Sequence, residues 1–580
     1  MGFLGSTRGL TPSLDAFART ATVFTRAYAQ APVTTVSHAT ILTGAYPPAH
    51  RVGEFGAPLP TDVPYLPDLL RRQGYRTAAF VGSLVLDPKN GIAPGFDRGF
   101  DVYDAGFRLR RPGDDRYQTV ERRGDEVVKR ALAWRAGQAP SAPLFLWVHL
   151  FDPHDPYDAV PDPSIASVSA PYDREIAVVD RLAGRVIAAA GANAVVVVAA
   201  DHGESLGEHG EATHGVFLYD ETLHVPLAIR LPDGRAAGVR VQARVRLADV
   251  APTILEALAM PASHMGGQSL LPLALGGLAG DRPVYAETRY PRQAFGWSPL
   301  VSWRSDRFLY VRAPKRELYD LVADPGAAKN LADTRARAAD GLDGELAQFL
   351  GKAGSAGAVR ESRVDPDLAA RLAALGYVSG SNAEAPGPGI DPKDRIAIAN
   401  ALHEAIVAVE DAQFDRAVPL LERVTASDPA IPIAQLNLGV ALARRKQYAR
   451  AVGPLTRAVA LRPDDMRGRY ELASALYETG NAKGAADEFA IVAKKMPDWA
   501  DARYSLGSVY ARIDRVPDAI AELKRAVALE PRHFQANLLL GRILTLRGDK
   551  IAAVPYLRTA MEVQPDSVEA KQFLADALKK

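Results

Sequence analysis

The chain has 580 residues, too many for one hydrophobic core, so about two to four domains are expected. Its 48% hydrophobic and 24% charged residues are ordinary for a soluble globular protein, and 69 Lys and Arg against 68 Asp and Glu leave no net field drawing it to nucleic acid or an acidic membrane. Cysteine is absent, which excludes disulfides, thiolate metal sites and any cysteine-derived nucleophile.

In chain order, the start MGFLGSTRGLTPSLDAFARTA has no long apolar run, and nowhere are there ~18 unbroken apolar residues. The chain as written reads as soluble and not exported. PSLDAF begins a helix carrying Asp15. APVTTVSHATILTG (31–44) is a polar turn running into a helix, and it admits two readings. A Thr or Ser there could cap the helix, for about 1 kcal/mol; alternatively, a hydroxyl could be held at the positive end of the helix dipole as a nucleophile. Thr35 is the expected cap. TAAFVGSLVL (77–86), PLFLWVHLF (143–151) and NAVVVVAA (193–200) are short, apolar and β-branched, as strands buried on both faces of a mostly parallel sheet are. YDREIAVVDRLAGRVIAAAG (172–191) is a helix closed by glycine. This alternation predicts an α/β domain with helices on both sides of a sheet. Near residue 280 the strands shorten, as in PLVSWRSDRFLYVR (299–312), which predicts a small antiparallel subdomain. A Gly/Pro/Ser/Ala linker follows at 378–392.

Beyond the linker the chain repeats. Pro429, Pro463, Pro497, Pro531 and Pro565 stand 34 residues apart. Ten residues after the first four come Gly439, Ala473, Gly507 and Gly541, each preceded by a leucine; twelve further on come Ala451, Ala485, Ala519 and Ala553. Small residues at that period resemble the tetratricopeptide repeat, which implies an all-α solenoid with a concave peptide-binding groove. A degenerate repeat is expected to start near Asp391, and residues 568–580 to form the terminal capping helix. A spacer or dimerisation arm is the alternative role. The expected domains are thus 1–350, a helix and linker over 351–390, and the repeats over 391–580.

Nine of the eleven histidines fall within residues 38–264. HLFDPHDPYD (149–158) follows one predicted strand and DHGESLGEHGEATHG (201–215) another. In an open α/β sheet, ligands bind beyond the carboxyl ends of the strands. That is where Asp152, His154, Asp201 and His202 are delivered, and an adjacent Asp and His can both reach a hard or borderline divalent cation.

These motifs, together with LADVAPTILEALAM (247–260), YAETRYPRQAFGWSPL (285–300) and ELYDLVADPGAAKNL (317–331), resemble the sulfatases and related phosphohydrolases of the alkaline phosphatase superfamily. The resemblance covers roughly residues 1–350 and implies that family's α/β fold. Sulfatases carry a formylglycine precursor, Cys or Ser, in a C/S-x-P-x-R motif; aligned on TGAYP, that place is held by Thr34, with Val36 for proline and His38 for arginine. Threonine cannot give the aldehyde, so the chain is similar to the branch that attacks directly with a threonine hydroxyl. The resemblance implies Thr34 as nucleophile and Asp201 and His202 on a divalent cation (Zn, Mn, Ca or Mg). It further implies His154 and His214 on the transferred group, with His214 on that group or on the metal; His149 and Asp152 would be orienting partners. Relatives begin with a strand ending in an aspartate-rich turn that supplies the first metal carboxylates, and Asp15 is not that ligand. An upstream segment carrying that strand is therefore expected, and any signal peptide, membrane anchor or periplasmic address would lie there. The leading reading is a metal-dependent hydrolase or transferase of sulfate or phosphate esters, with repeats that bind a protein or peptide and no nucleic-acid partner. The alternative is an inactive domain serving as a repeat scaffold.

Overall fold

The structure, a computed structural model, describes residues 1–53, 56–89, 92–107, 120–157, 168, 170–262, 264–277, 280–353 and 389–579. Most of the expected 351–390 helix and linker therefore lies outside the described residues. Two compact units are found, Met1–Asn400 and Ala401–Lys580. The division falls later than residue 391 because Asp391 and Lys393 bond to Lys315 and Glu317 of the first unit.

The strands of the first unit are β1 (Thr22–Phe24), β2 (Ala27–Tyr28), β3 (Arg76–Phe80), β4 (Val102–Asp104), β5 (Leu144–Val148), β6 (Val196–Ala199) and β7 (His224–Val225). They continue with β8 (Leu227–Arg230), β9 (Arg240–Val241), β10 (Val245–Arg246), β11 (Val284–Thr288), β12 (Leu300–Ser305), β13 (Phe308–Arg312) and β14 (Glu317–Asp320). β4-β3-β5 is parallel throughout, with Ala78 opposite Leu146 and Val102. β6-β8-β1-β9 and β10-β2-β7 are mixed, so parallel pairing covers only part of what the sequence suggests. Two further expectations are corrected. The strand expected over 77–86 stops at Phe80, and Leu84–Leu86 form a 3-10 turn in which Val85 N–H donates to the Ser83 hydroxyl. β5 and β6 are half-buried rather than buried on both faces, because among the described residues each is the edge of its sheet.

Residues 284–320 form the expected antiparallel sheet, β11-β12-β13-β14. Tyr285, Trp303, Tyr310 and Leu318 pack there with Ala339, Leu342 and Leu346 of the helix Ala336–Ala353.

The second unit is helical. Helix pairs run from Ile396–Glu410 and Phe414–Ser427 to Phe534–Leu546 and Lys550–Val563, closed by Val568–Leu578. The registered small residues lie where paired helices cross: a Cβ on Gly541 would stand 2.5 Å from Leu557 Cγ, and one on Gly507 2.8 Å from Leu523 Cγ. Among the described residues, no helix is long and apolar enough to cross a membrane.

Candidate active site

The turn after β2 enters the helix Thr34–Thr43 with Val33 extended at its N-cap and no side chain capping it. Thr35 is therefore not the cap expected of it; its hydroxyl donates to Val85 C=O at 2.7 Å. Gly44 ends the helix at φ +63°, where a Cβ would lie 2.9 Å from Met265 Sδ. A tertiary contact and a left-handed turn thus make glycine the residue that fits there.

Thr34, at the first helical position, is 1% exposed. Its Oγ1 lies 3.0 Å from His202 Nε2. His202 Nδ1 meets Gly203 C=O at 2.9 Å, and a carbonyl only accepts, so Nδ1 carries the proton and Nε2 offers its lone pair to the Thr34 hydroxyl. Ser37, one turn on, donates to Asp201 C=O at 2.5 Å, which ties this helix to the end of β6. His38 Nδ1 donates to Thr34 C=O at 2.9 Å.

Asp201 Oδ2 lies 3.4 Å from His38 Nδ1 and 3.5 Å from His202 Nε2, and it is buried without a hydrogen-bond partner. Burial opposes ionisation of this carboxyl, but the imidazoles of His202, His38 and His149 outweigh it and hold its pKa down at about 2. Burial lowers the pKa of His38 and His202 against the pull of Asp201, and lowers that of His149 to about 3. Near neutral pH the cluster is one carboxylate among neutral imidazoles, a net negative site. Such a site repels an anionic ester and attracts a cation.

The other expected residues divide. His149, one residue past β5, sets its ring edge-on to His38 with centroids 4.9 Å apart, and its Nδ1 accepts Gly82 N–H at 3.3 Å. His214 stacks obliquely on His202 at 4.3 Å and meets the His154 ring at 4.9 Å. His154 itself stacks on Phe151 at 4.2 Å. Seven of the eight candidates, Thr34, His38, His149, His154, Asp201, His202 and His214, thus form one connected group. Asp152 stands apart: its Oδ1 accepts Gly124 N–H at 2.9 Å, at the start of the helix Gly124–Ala136.

A carboxylate oxygen, an imidazole nitrogen and a hydroxyl converge at Asp201, His202 and Thr34, and the unpartnered Asp201 Oδ2 suits a borderline divalent cation in kind. In number the set is short: among the described residues, no group of three or more His, Asp or Glu side chains is disposed to hold a metal.

The profile described as Sulfatase matches residues 1–260, and that of the N-sulphoglucosamine sulphohydrolase C-terminal region matches 207–349. A sulfatase family domain is thus matched over residues 1–349. Tetratricopeptide repeat matches run from 402 to 567. An arylsulfatase of Volvox carteri is 34% identical over 217 residues, 30% of this chain and 33% of that protein. An ulvan-active sulfatase of Formosa agariphila is 26% identical over 297 residues, 44% of this chain and 58% of that protein. The chain thus spans about a third to rather over half the length of these relatives. The phosphonate monoester hydrolase of Agrobacterium radiobacter superposes at a TM-score of 0.50 and 23% identity, over 61% of this chain and 93% of that one, a likeness of fold.

Within the sulfatase domain two partners escape the sequence reading. Glu204 pairs with His214 Nδ1 at 2.9 Å, both side chains buried, which fixes that ring. Ser37 docks the helix that begins at Thr34 on Asp201. The signal for Glu204 was present in DHGES, an acidic residue inside a histidine-rich loop. For Ser37 there was none, because its partner is a backbone carbonyl 164 residues away.

Proposed function

We propose that the sulfatase domain hydrolyses sulfate or phosphate esters with the Thr34 hydroxyl as attacking group, assisted by a divalent cation, and that the repeats dock a protein or peptide. The observation that carries this is the Thr34 Oγ1–His202 Nε2 hydrogen bond at 3.0 Å, beside the buried Asp201 Oδ2, which has no hydrogen-bond partner.

A threonine hydroxyl is a poor nucleophile until a neighbour draws off its proton. His202 is placed to do so: Gly203 C=O holds Nδ1–H, leaving Nε2 to take the Thr34 proton as Oγ1 attacks sulfur or phosphorus. The bond from Oγ1 to that atom forms as the bond to the ester oxygen breaks, and the proton held on His202 Nε2 passes to the leaving oxygen, which departs as the alcohol. Water then cleaves the threonine ester, which returns the hydroxyl and releases sulfate or phosphate. His38 fixes the first turn through Thr34 C=O, and Glu204 holds His214 beside His202. Asp201 Oδ2, beside the Thr34 hydroxyl, is the group that would hold a divalent cation while His202 acts as base. Nε2 is the one lone pair His202 has, and the expected place of His202 on the cation would occupy it. Bound, the cation would reverse the site's negative charge and ease deprotonation of the hydroxyl. The sulfate class is favoured by the family of the matching profiles and relatives. The retained constellation favours an enzyme over an inactive scaffold.

The test is turnover of 4-nitrophenyl sulfate and of phenyl phosphonate esters by the full chain. Thr34→Ala should lower kcat about a thousandfold, a loss of ~4 kcal/mol of transition-state stabilisation, with metal content near wild type. Thr34→Ser should retain measurable turnover, and Asp201→Ala should lose metal and activity together. Thr34→Ala turning over as fast as wild type would refute the assignment.

A further inference from the structure

Residues 389–400 lie beyond the sulfatase matches, which end at 349, and before the repeat matches, which begin at 402. They are nonetheless fastened to the sulfatase unit. Ser298 N–H donates to Ile390 C=O at 2.9 Å. Asp391 accepts Lys315 N–H at 2.9 Å through one oxygen and Lys393 N–H at 3.0 Å through the other. Lys393 Nζ reaches the buried Glu317 at 2.6 Å, a carboxylate that also accepts the Tyr219 and Tyr319 hydroxyls at 2.6 Å each. Lys315 Nζ pairs with Asp394 at 2.6 Å.

The far end of this segment meets the loop that follows β6. Asn400 Nδ2 donates to Gly210 C=O at 2.7 Å, and Ala212 N–H donates to Asn400 Oδ1 at 3.2 Å. Both amide atoms are used in one orientation, so the side chain pairs with the loop as a neighbouring peptide would. Ile396 Cγ2 approaches the same place, 3.6 Å from where a Gly210 Cβ would stand.

That loop carries His202 and His214, and its outer end is unfavourable on its own. His209 and Gly210 sit at φ +51° and +80°, and for a non-glycine residue the left-handed region costs about 1 kcal/mol or more. On the inner side Ser205 N–H donates to Thr213 C=O at 2.7 Å, and the Ser205 hydroxyl to Glu211 C=O at 2.8 Å. Asn400 holds the opposite side, at residues 210 and 212, the latter two positions before His214.

We propose that Asn400 is a positioning residue for the site, acting through a strap of residues 389–400 that braces the loop bearing His202 and His214. The inference rests on the reading of that site as the active site.

Hydrogen exchange of the full chain tests it, with 4-nitrophenyl sulfate kinetics alongside. In Asn400→Ala, amides across 203–216 should exchange about tenfold faster, the scale of one or two neutral hydrogen bonds, while β3, β5 and β11–β14 stay as in wild type. kcat/KM should fall by a similar factor. Asn400→Asp keeps the acceptor for Ala212 N–H and loses the donor to Gly210 C=O, so it should lie between. Lys393→Met, which loosens the other end of the strap, should move the same peptides. Unchanged exchange over 203–216 in Asn400→Ala would overturn the brace, and faster exchange with wild-type kcat/KM would overturn the positioning role. If the wild-type chain turned over no ester, the hydrolase reading would fail while the exchange result still judged the brace.

Discussion

Glu211 lies in the loop braced by Asn400, 2% exposed, with its carboxyl accepting Val216 N–H at 2.7 Å and Phe217 N–H at 3.2 Å. Burial outweighs those two amides and pushes its pKa up to about 8. In the unfolded chain a glutamate titrates near pH 4.3, roughly. Between these values the folded carboxyl holds a proton that the unfolded chain has released. The stability it contributes is therefore complete below the unfolded pKa and is lost as pH rises through the folded one, by at most about 1.4 kcal/mol per pH unit. Glu211→Gln keeps an acceptor for one amide and removes the titration. Thermal melts between pH 5 and pH 8 should show wild-type Tm falling with pH more steeply than that of Glu211→Gln. Parallel profiles would show that the carboxyl is ionised in the fold throughout.

At the scale of elements, the repeat helices were the most legible part of the sequence, because a single constraint recurs at a fixed spacing. Where two helices cross closely only a small residue fits, and Gly439, Ala473, Gly507 and Gly541 mark the crossings. Gly541→Leu should cost about 1–3 kcal/mol, since the new side chain must enter space held by Leu557. Gly541→Ala should cost less, because Ala473 fills the equivalent position fully buried. Helix melting by circular dichroism would rank the two, and a Leu variant as stable as wild type would contradict the close crossing. The site was legible in its residue types and loops but not in its local bonding. Adjacency of Asp201 and His202 after a strand, and the TTVSH turn, were visible as patterns. The partners were not: Thr35 bonds Val85 C=O instead of capping its helix, and Asp152 turns to Gly124, because each finds a better acceptor or donor far along the chain. β5 and β6 read as strands buried on both faces from apolar composition alone, and composition does not encode whether a neighbour lies on both sides.

For the molecule as a whole, the two units are built on different principles and should unfold differently. The sulfatase unit joins distant segments, as in β1 against β8 or Ser37 against Asp201, so it should lose structure cooperatively. In the solenoid each helix pair packs on its neighbours, and stability accumulates repeat by repeat. A fragment of residues 391–580 should therefore be helical alone, with fraying confined to 391–400, where Asp391, Lys393 and Asn400 lose the partners they have in the first unit. Its last helix, Val568–Leu578, covers Leu540, Leu544 and Leu557 with Phe573, Leu574 and Ala577. Deleting 568–580 should uncover those leucines and lower the Tm of the fragment by several degrees, since each buried aliphatic or aromatic side chain contributes about 1.5–3 kcal/mol. The same deletion in the full chain should lower only the helical transition and leave ester turnover unchanged. A fragment without helical signal in far-UV circular dichroism, or a deletion that abolishes turnover, would show that the solenoid depends on the sulfatase unit, or the sulfatase unit on it, for its fold.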